Sequence, residues 1–133
     1  MTNLLNLNGY LYILTKNDLK YFDHVNKKVF NVTGFGNHSD VMRAKEMKNP
    51  ESAIQEFYVI GTNRMTIYEL TSPTTVKVSL EIDDLGFEGT HPVGNIHYHP
   101  YFYLSGYQKI VVVDLSVRSS PKLSMLPMNG SCF

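Results

Sequence analysis

The sequence predicts an all-β fold in which a unit of four short antiparallel strands occurs three times. In three segments a tyrosine lies between apolar neighbours, and these segments are Leu11–Thr15, Phe57–Gly61 and Phe102–Gly106. After a polar turn, each segment is followed by a strand that ends in an acidic residue: Asp23, Glu69 or Asp114. Tyr12 and Tyr58 are 46 residues apart, and Tyr58 and Tyr103 are 45 apart. A strand-only repeat of about 45 residues is typical of propeller blades.

Length and composition favour a single β domain. The chain has 133 residues, including nine tyrosines and no tryptophan. This length is enough to bury one hydrophobic core, and tyrosine and β-branched residues favour pleated, half-buried surfaces. We therefore predict one β-repeat domain over residues 1–133.

The first unit, residues 2–33, contains four predicted strands. They cover residues 3–7, 9–15, 19–24 and 28–33. The pairs Asn17-Asp18 and Asn26-Lys27 separate the later strands, and they favour tight turns because Asn and Asp tolerate turn conformations.

The second and third units, residues 51–82 and 94–127, have the same predicted arrangement. The strands of the second unit cover 52–56, 57–61, 64–70 and 75–82. Those of the third cover 95–99, 101–106, 109–116 and 122–126. Ser72-Pro73 in one unit and Pro121 in the other separate the last two strands, since proline interrupts a strand.

An insertion at residues 34–50 separates the first two units. Its sequence predicts a short helix. Ser39 or Asp40 would cap its first turn, because their side chains accept hydrogen bonds from unpaired backbone N–H groups. The residues that follow, 41–48, are mostly good helix formers.

The third unit resembles the LVIVD-type propeller repeat, which is a WD-repeat-like blade. The residues that carry the resemblance are Tyr103-Leu104-Ser105-Gly106, the strand Ile110–Ser116 and the segment Ser120–Leu123. The first two units match more loosely, with Glu69 in place of the aspartate and Thr15 in place of the glycine. The resemblance implies propeller-like sheets that serve as interaction surfaces, and it implies no catalytic residue.

Three blades cannot close a propeller, since single-chain propellers contain about four to eight. Two copies could join into a six-bladed ring, or a partner protein could supply the missing blades. Alternatively, the chain could form a single small β-barrel or one curved sheet. The first two solutions make association, as a homodimer or with a partner protein, part of the fold.

Charge and cysteine content exclude several classes of partner. The formal net charge is zero, so no long-range field attracts nucleic acid or an anionic membrane. Cys132 is the one cysteine, and residues 1–8 have neither a basic leader nor a long apolar run. From these features we expect a cytoplasmic protein with no nucleic-acid or membrane partner.

A histidine cluster is the strongest chemical motif. His97 and His99 would point to the same side of a strand, and His91 precedes them in a loop. Such a set could bind a divalent metal, or the histidines could bond to backbone and water instead. No phosphate-binding loop or activated nucleophile is present, so the sequence predicts no catalytic residue and no cofactor other than this possible metal.

The predicted protein-binding residues, Tyr101, Tyr107, Arg43 and Lys45, are ones that the repeat does not explain. Tyr101 and Tyr107 are predicted protein-binding residues because exposed aromatic side chains contribute much of the energy of interfaces. Arg43 and Lys45 form a basic face on the predicted insertion helix. The recurring tyrosines are predicted to be core or half-core residues, and the recurring acids are predicted to cap turns.

The sequence thus predicts a non-catalytic protein-interaction module that binds a partner or itself through sheet edges and rim loops. One alternative is a metal-binding protein or metal-dependent enzyme centred on His97 and His99. Another is a small-ligand carrier, which would be a single barrel with an apolar cavity.

Overall fold

In the part of the chain that the structure describes, twelve strands form three separate four-stranded antiparallel sheets. A computed structural model describes residues 2–15, 17–36, 38, 43–47, 50, 52–87 and 92–127. The predicted all-β class and its three sheets are confirmed, whereas a single barrel or one curved sheet does not form. Within these ranges there is no helix with the length and apolar character needed to cross a bilayer.

The first sheet contains β1 (Thr2–Leu7), β2 (Tyr10–Thr15), β3 (Leu19–Asp23) and β4 (Lys28–Asn31), in that spatial order. The β1–β2 turn is Asn8-Gly9, and both residues have positive φ, 54° and 83°. This conformation suits the twist of a two-residue hairpin, for which Asn-Gly is the favoured pair.

The second sheet contains β5 (Arg43–Met47), β6 (Glu56–Ile60), β7 (Met65–Ser72) and β8 (Thr75–Ile82). The third sheet contains β9 (Gly94–Tyr98), β10 (Tyr101–Gly106), β11 (Lys109–Asp114) and β12 (Lys122–Pro127). All strand pairs within the sheets are antiparallel hairpin neighbours.

The predicted helix in the 34–50 insertion is wrong over Arg43–Met47, which forms β5 and pairs with all of β6. A helix this short is not stable by itself, and the ladder with β6 outweighs the helix propensity of these residues. The predicted opening strand 52–56 is also wrong, because β6 begins at Glu56. The second sheet therefore starts at Arg43 instead of residue 51. Residues 39–42 and 48–49 lie outside the described ranges.

The second sheet lies between the other two, and each of its faces packs on a neighbour. One core joins the first and second sheets through Leu5, Tyr12, Phe57 and Val59 among others. The other core joins the second and third sheets, and its members include Tyr58, Ile67, Phe102, Leu104 and Val113. Each core receives alternate residues of the strands, as side chains of a strand point to opposite faces.

A main-chain contact fixes the end of the first sheet to the second. Thr33 donates to the carbonyl oxygen of Thr74 and accepts from the N–H of Val76, both at 2.9 Å. The next residue, Gly34, has φ +93°, and a β-carbon there would be 1.8 Å from the Val76 carbonyl oxygen. The close approach of the two sheets thus requires glycine at this position.

A partly buried ion pair joins the second and third sheets. Arg118, in the β11–β12 connection, donates to both carboxylate oxygens of Glu56 at 3.0 and 2.7 Å. Glu56 is buried, and a buried carboxylate requires such a partner. Lys109 adds a second link, because its ammonium group bonds to the Gly86 carbonyl and lies 5.4 Å from the Phe87 ring centroid.

Candidate interaction surfaces

Each sheet has two non-equivalent faces, which we name the forward face and the rear face. The forward face is the one that carries the repeated tyrosine, at Tyr12, Tyr58 or Tyr103. The rear face is the opposite one, and it carries the residue before that tyrosine: Leu11, Phe57 or Phe102. In the two internal contacts, the forward face of one sheet packs on the rear face of the next.

The tyrosines of the first two forward faces are fully buried and bond to the following sheet. The Tyr12 hydroxyl donates to the Pro73 carbonyl, and the Tyr58 hydroxyl donates to Asn95 Oδ1, both at 2.6 Å. Burial is the main cause that raises the pKa of each hydroxyl to about 12. Both groups are therefore protonated hydrogen-bond donors at neutral pH.

Tyr103, in the third forward face, is 39% exposed because no further sheet of the described residues covers it. The prediction of a core or half-core position is confirmed for Tyr12 and Tyr58, whereas Tyr103 is only partly covered. Around Tyr103 the forward face is mainly apolar and aromatic. We name it the third-sheet open face; its apolar and aromatic residues are Ile96, Tyr98, Tyr101, Tyr103, Ile110, Val112 and Leu126, and it also carries Ser105, Asp114, Lys122 and Ser124.

The rear face of the first sheet is uncovered in the same way. Leu11 is 38% exposed, whereas the equivalent Phe57 and Phe102 have no exposure. Apolar residues surround Leu11 on this face, which also carries the polar residues Asn6, Lys20 and Asn31. We name it the first-sheet open face; its apolar residues are Leu4, Leu11, Ile13, Phe22 and Val29.

The outer strand edges are less suited to binding than the open faces. β4 begins at Lys28 directly after Lys27, and β12 begins at Lys122 directly after Pro121. Lysine and proline at an edge oppose the addition of another strand. Apolar contact through the open faces is therefore the more suitable mode of association.

The four predicted contact residues lie in three separate regions. Tyr101 lies on the third-sheet open face, with its ring centroid 6.3 Å from that of Tyr103. Tyr107 is 69% exposed but lies in the β10–β11 turn, away from this face. Arg43 and Lys45 lie on β5, where they line a cavity between the opening strands of the three sheets.

The predicted histidine cluster lies at the contact between the second and third sheets. The His97 ring stacks on Phe102 at 4.5 Å, and the centroids of His97 and His99 are 6.3 Å apart. Burial, followed by the charge of His99, lowers the pKa of His97. The described residues contain no group of three potential metal ligands, and His91 lies outside them. The metal hypothesis stays a prediction.

The polar residues that bond across the sheet contacts carry almost no sequence signal. They are Asn95, Glu56 and Arg118, and they belong to no motif that would distinguish them from ordinary strand or turn residues. The only signal for Glu56 was its position one residue before the repeated segment, between Gln55 and Phe57.

Comparison with known proteins adds no relative to these observations. No protein-family model matches the sequence, and neither a curated protein nor a solved structure is significantly similar to it.

Proposed function

We propose that this chain is a non-catalytic protein-interaction module of three propeller-like blades, and that its partner is a second copy of itself. The observation that supports this is the repeat equivalence of the two open faces. In the first and second sheets the forward face packs on the rear face of the next sheet, whereas the forward face of the third sheet is open. In the second and third sheets the rear face is covered in that way, whereas the rear face of the first sheet is open.

The internal contacts provide a template for the contact between copies. Tyr58 and Phe102 meet edge to face, with ring centroids 4.8 Å apart. Their repeat equivalents at the open ends are Tyr103 and Leu11 of a second copy. Tyr103 would thus place an aromatic ring against the apolar side chain of Leu11, as Tyr58 does against Phe102 within one copy.

A twofold arrangement satisfies both ends of both copies. The third sheet of each copy packs on the first sheet of the other, which closes a ring of six sheets, within the usual range for propellers. A four-stranded face is roughly 19 Å by 18 Å, so four faces cover roughly 1,400 Å² of planar area, which is typical of stable interfaces. The zero net charge imposes no long-range repulsion between copies.

Light scattering across about 5 to 100 µM protein tests this proposal, because dimerisation depends on concentration. The expected mass is that of two chains. Leu11→Glu and Tyr103→Glu should each give a folded monomer, since each places a charge in both contacts of the homodimer. Val25→Glu is the control, because Val25 lies exposed in the β3–β4 turn, and this variant should remain dimeric.

Two results would contradict the proposal. One is a wild-type monomer at the highest concentration that unfolds in a single sharp transition. The other is a series of masses that rises beyond two chains, because heterologous contacts that do not close produce open assemblies.

A further inference from the structure

A cavity of ≈ 350 Å³ lies where the opening strands of the three sheets approach one another. Each sheet contributes to its lining. The residues are Asn3 of β1, Arg43, Ala44 and Lys45 of β5, and Val93, Gly94 and Asn95 at the start of β9. This lining is more polar than the packed contacts between the sheets.

The cavity presents two cations and no anion. Arg43 and Lys45 are exposed, and neither side chain forms a hydrogen bond or an ion pair with another described residue. No described residue that lines the cavity carries a carboxylate. Most other cations at the sheet contacts have a partner, as Arg118 and Lys109 do.

Two amide side chains, those of Asn3 and Asn95, line the same cavity. The Nδ2 atom of Asn3 is buried and has no hydrogen-bond partner in the described part of the chain. The Oδ1 atom of Asn95 accepts the Tyr58 hydroxyl bond. Buried donors without a partner are rare in native proteins and require an explanation.

We infer that this cavity is a binding site for a small oxyanion, a phosphate or a carboxylate. A guanidinium fork and an ammonium group are the cations that proteins use for such oxygens. The amide donors of Asn3 and Asn95 would satisfy further oxygens of the same ligand. The site lies within one copy, so it does not depend on self-association.

Calorimetric titration with sodium phosphate, and separately with sodium citrate, at pH 7.5 and constant ionic strength tests the inference. Saturable binding of either anion is expected, with a dissociation constant of roughly 1 mM or tighter. Binding of one anion alone identifies whether phosphate or carboxylate is the preferred group. Arg43→Gln and Lys45→Gln should each weaken binding by about tenfold or more, because each removes a charge-assisted contact.

Lys28→Gln is the matched control, since Lys28 is an exposed cation on β4 outside the cavity. It should change the affinity by less than about twofold, because screening limits the effect of distant charges. The inference is overturned if neither anion binds saturably below about 10 mM. It is also overturned if Lys28→Gln weakens binding as much as Arg43→Gln does. Unfolding curves confirm that the variants are folded, which is expected because the substituted side chains are exposed.

Discussion

At the scale of single residues, position in the repeat and position in the stack of sheets together determine the role of a side chain. Asp23 accepts from the N–H groups of Val25 and Asn26, and Asp114 accepts from that of Ser116. Bonds from the Asn26 and Ser116 side chains are the main cause that lowers the pKa of each carboxyl. The predicted turn caps are thus confirmed for these two. Glu69 instead pairs with Lys77 at 2.9 Å.

His97 should make the stability of the fold depend on pH. Its unperturbed pKa is 6.5, and burial lowers this pKa in the folded state. The unfolded chain therefore takes up the proton at a higher pH than the folded chain does. The free energy of unfolding should fall as the pH decreases through 6.5, and the loss should continue until the pH is below the folded-state pKa.

Urea unfolding of the wild type and of His97→Gln between pH 7.5 and 5.5 measures this contribution. The variant should have a flatter profile, because it lacks the proton uptake on unfolding. His24→Gln serves as the control, since His24 lies exposed in the β3–β4 turn, and it should keep the wild-type slope. Equal slopes for His97→Gln and the wild type would be evidence against this account of His97.

At the scale of strands, the hairpins that are joined by Asn- or Asp-containing turns were predictable. β5, the opening strand of the second sheet, was not. β2, β3 and β4 are short runs rich in aromatic and aliphatic residues between Asn- and Asp-containing turns, so local sequence specifies them. β5 consists of Arg-Ala-Lys-Glu-Met, whose residues favour helix in isolation. Only its pairing with β6 makes it a strand, and that tertiary contact has no local signal.

Gly34 is the strand-scale position with the strongest constraint. Alanine there would have a positive φ and a β-carbon 1.8 Å from the Val76 carbonyl oxygen. We expect Gly34→Ala to lower the free energy of unfolding by at least about 2 kcal/mol, since both strain and a backbone clash contribute.

Gly9→Ala separates the two contributions. Gly9 has φ +83°, but no atom lies within 4 Å of the added carbon. This variant should lose only about 1 kcal/mol, from backbone strain alone. Denaturant unfolding of both variants measures the difference. Equal losses at Gly9 and Gly34 would contradict the close contact between the first and second sheets.

At the scale of the whole molecule, the sequence predicted that the set of three sheets would not close, but it only partly predicted which residues are left uncovered. The repeat count indicated that three blades cannot close, and Tyr101 stays a predicted contact residue, which lies on the third-sheet open face. In the described residues, uncovered apolar side chains lie on two sheet faces, whereas the predicted contacts were at sheet edges and rim loops. The cavity residues Asn3 and Asn95 were not predictable, because only the stacking of three separate strands brings them together.

If the first-sheet open face of one copy packs on the third-sheet open face of the other, two monomeric variants with different altered faces should associate when they are mixed. The mass of the wild-type protein alone does not test which faces pair. Leu11→Lys and Tyr103→Glu should each be monomeric alone, because both contacts of either homodimer contain the altered face. When the two variants are mixed, one contact combines two unaltered faces and the other combines lysine with glutamate. Association should therefore return in the mixture, as a complex with one copy of each variant.

Native mass spectrometry of the two variants, separately and mixed in equal amounts, is the most direct test of the central claim. The account predicts monomers in each separate sample and a mixed dimer in the combined sample. Like-with-like pairing of faces would leave one variant dimeric by itself, through its unaltered face. That result, or monomers in all three samples, would contradict the proposed ring.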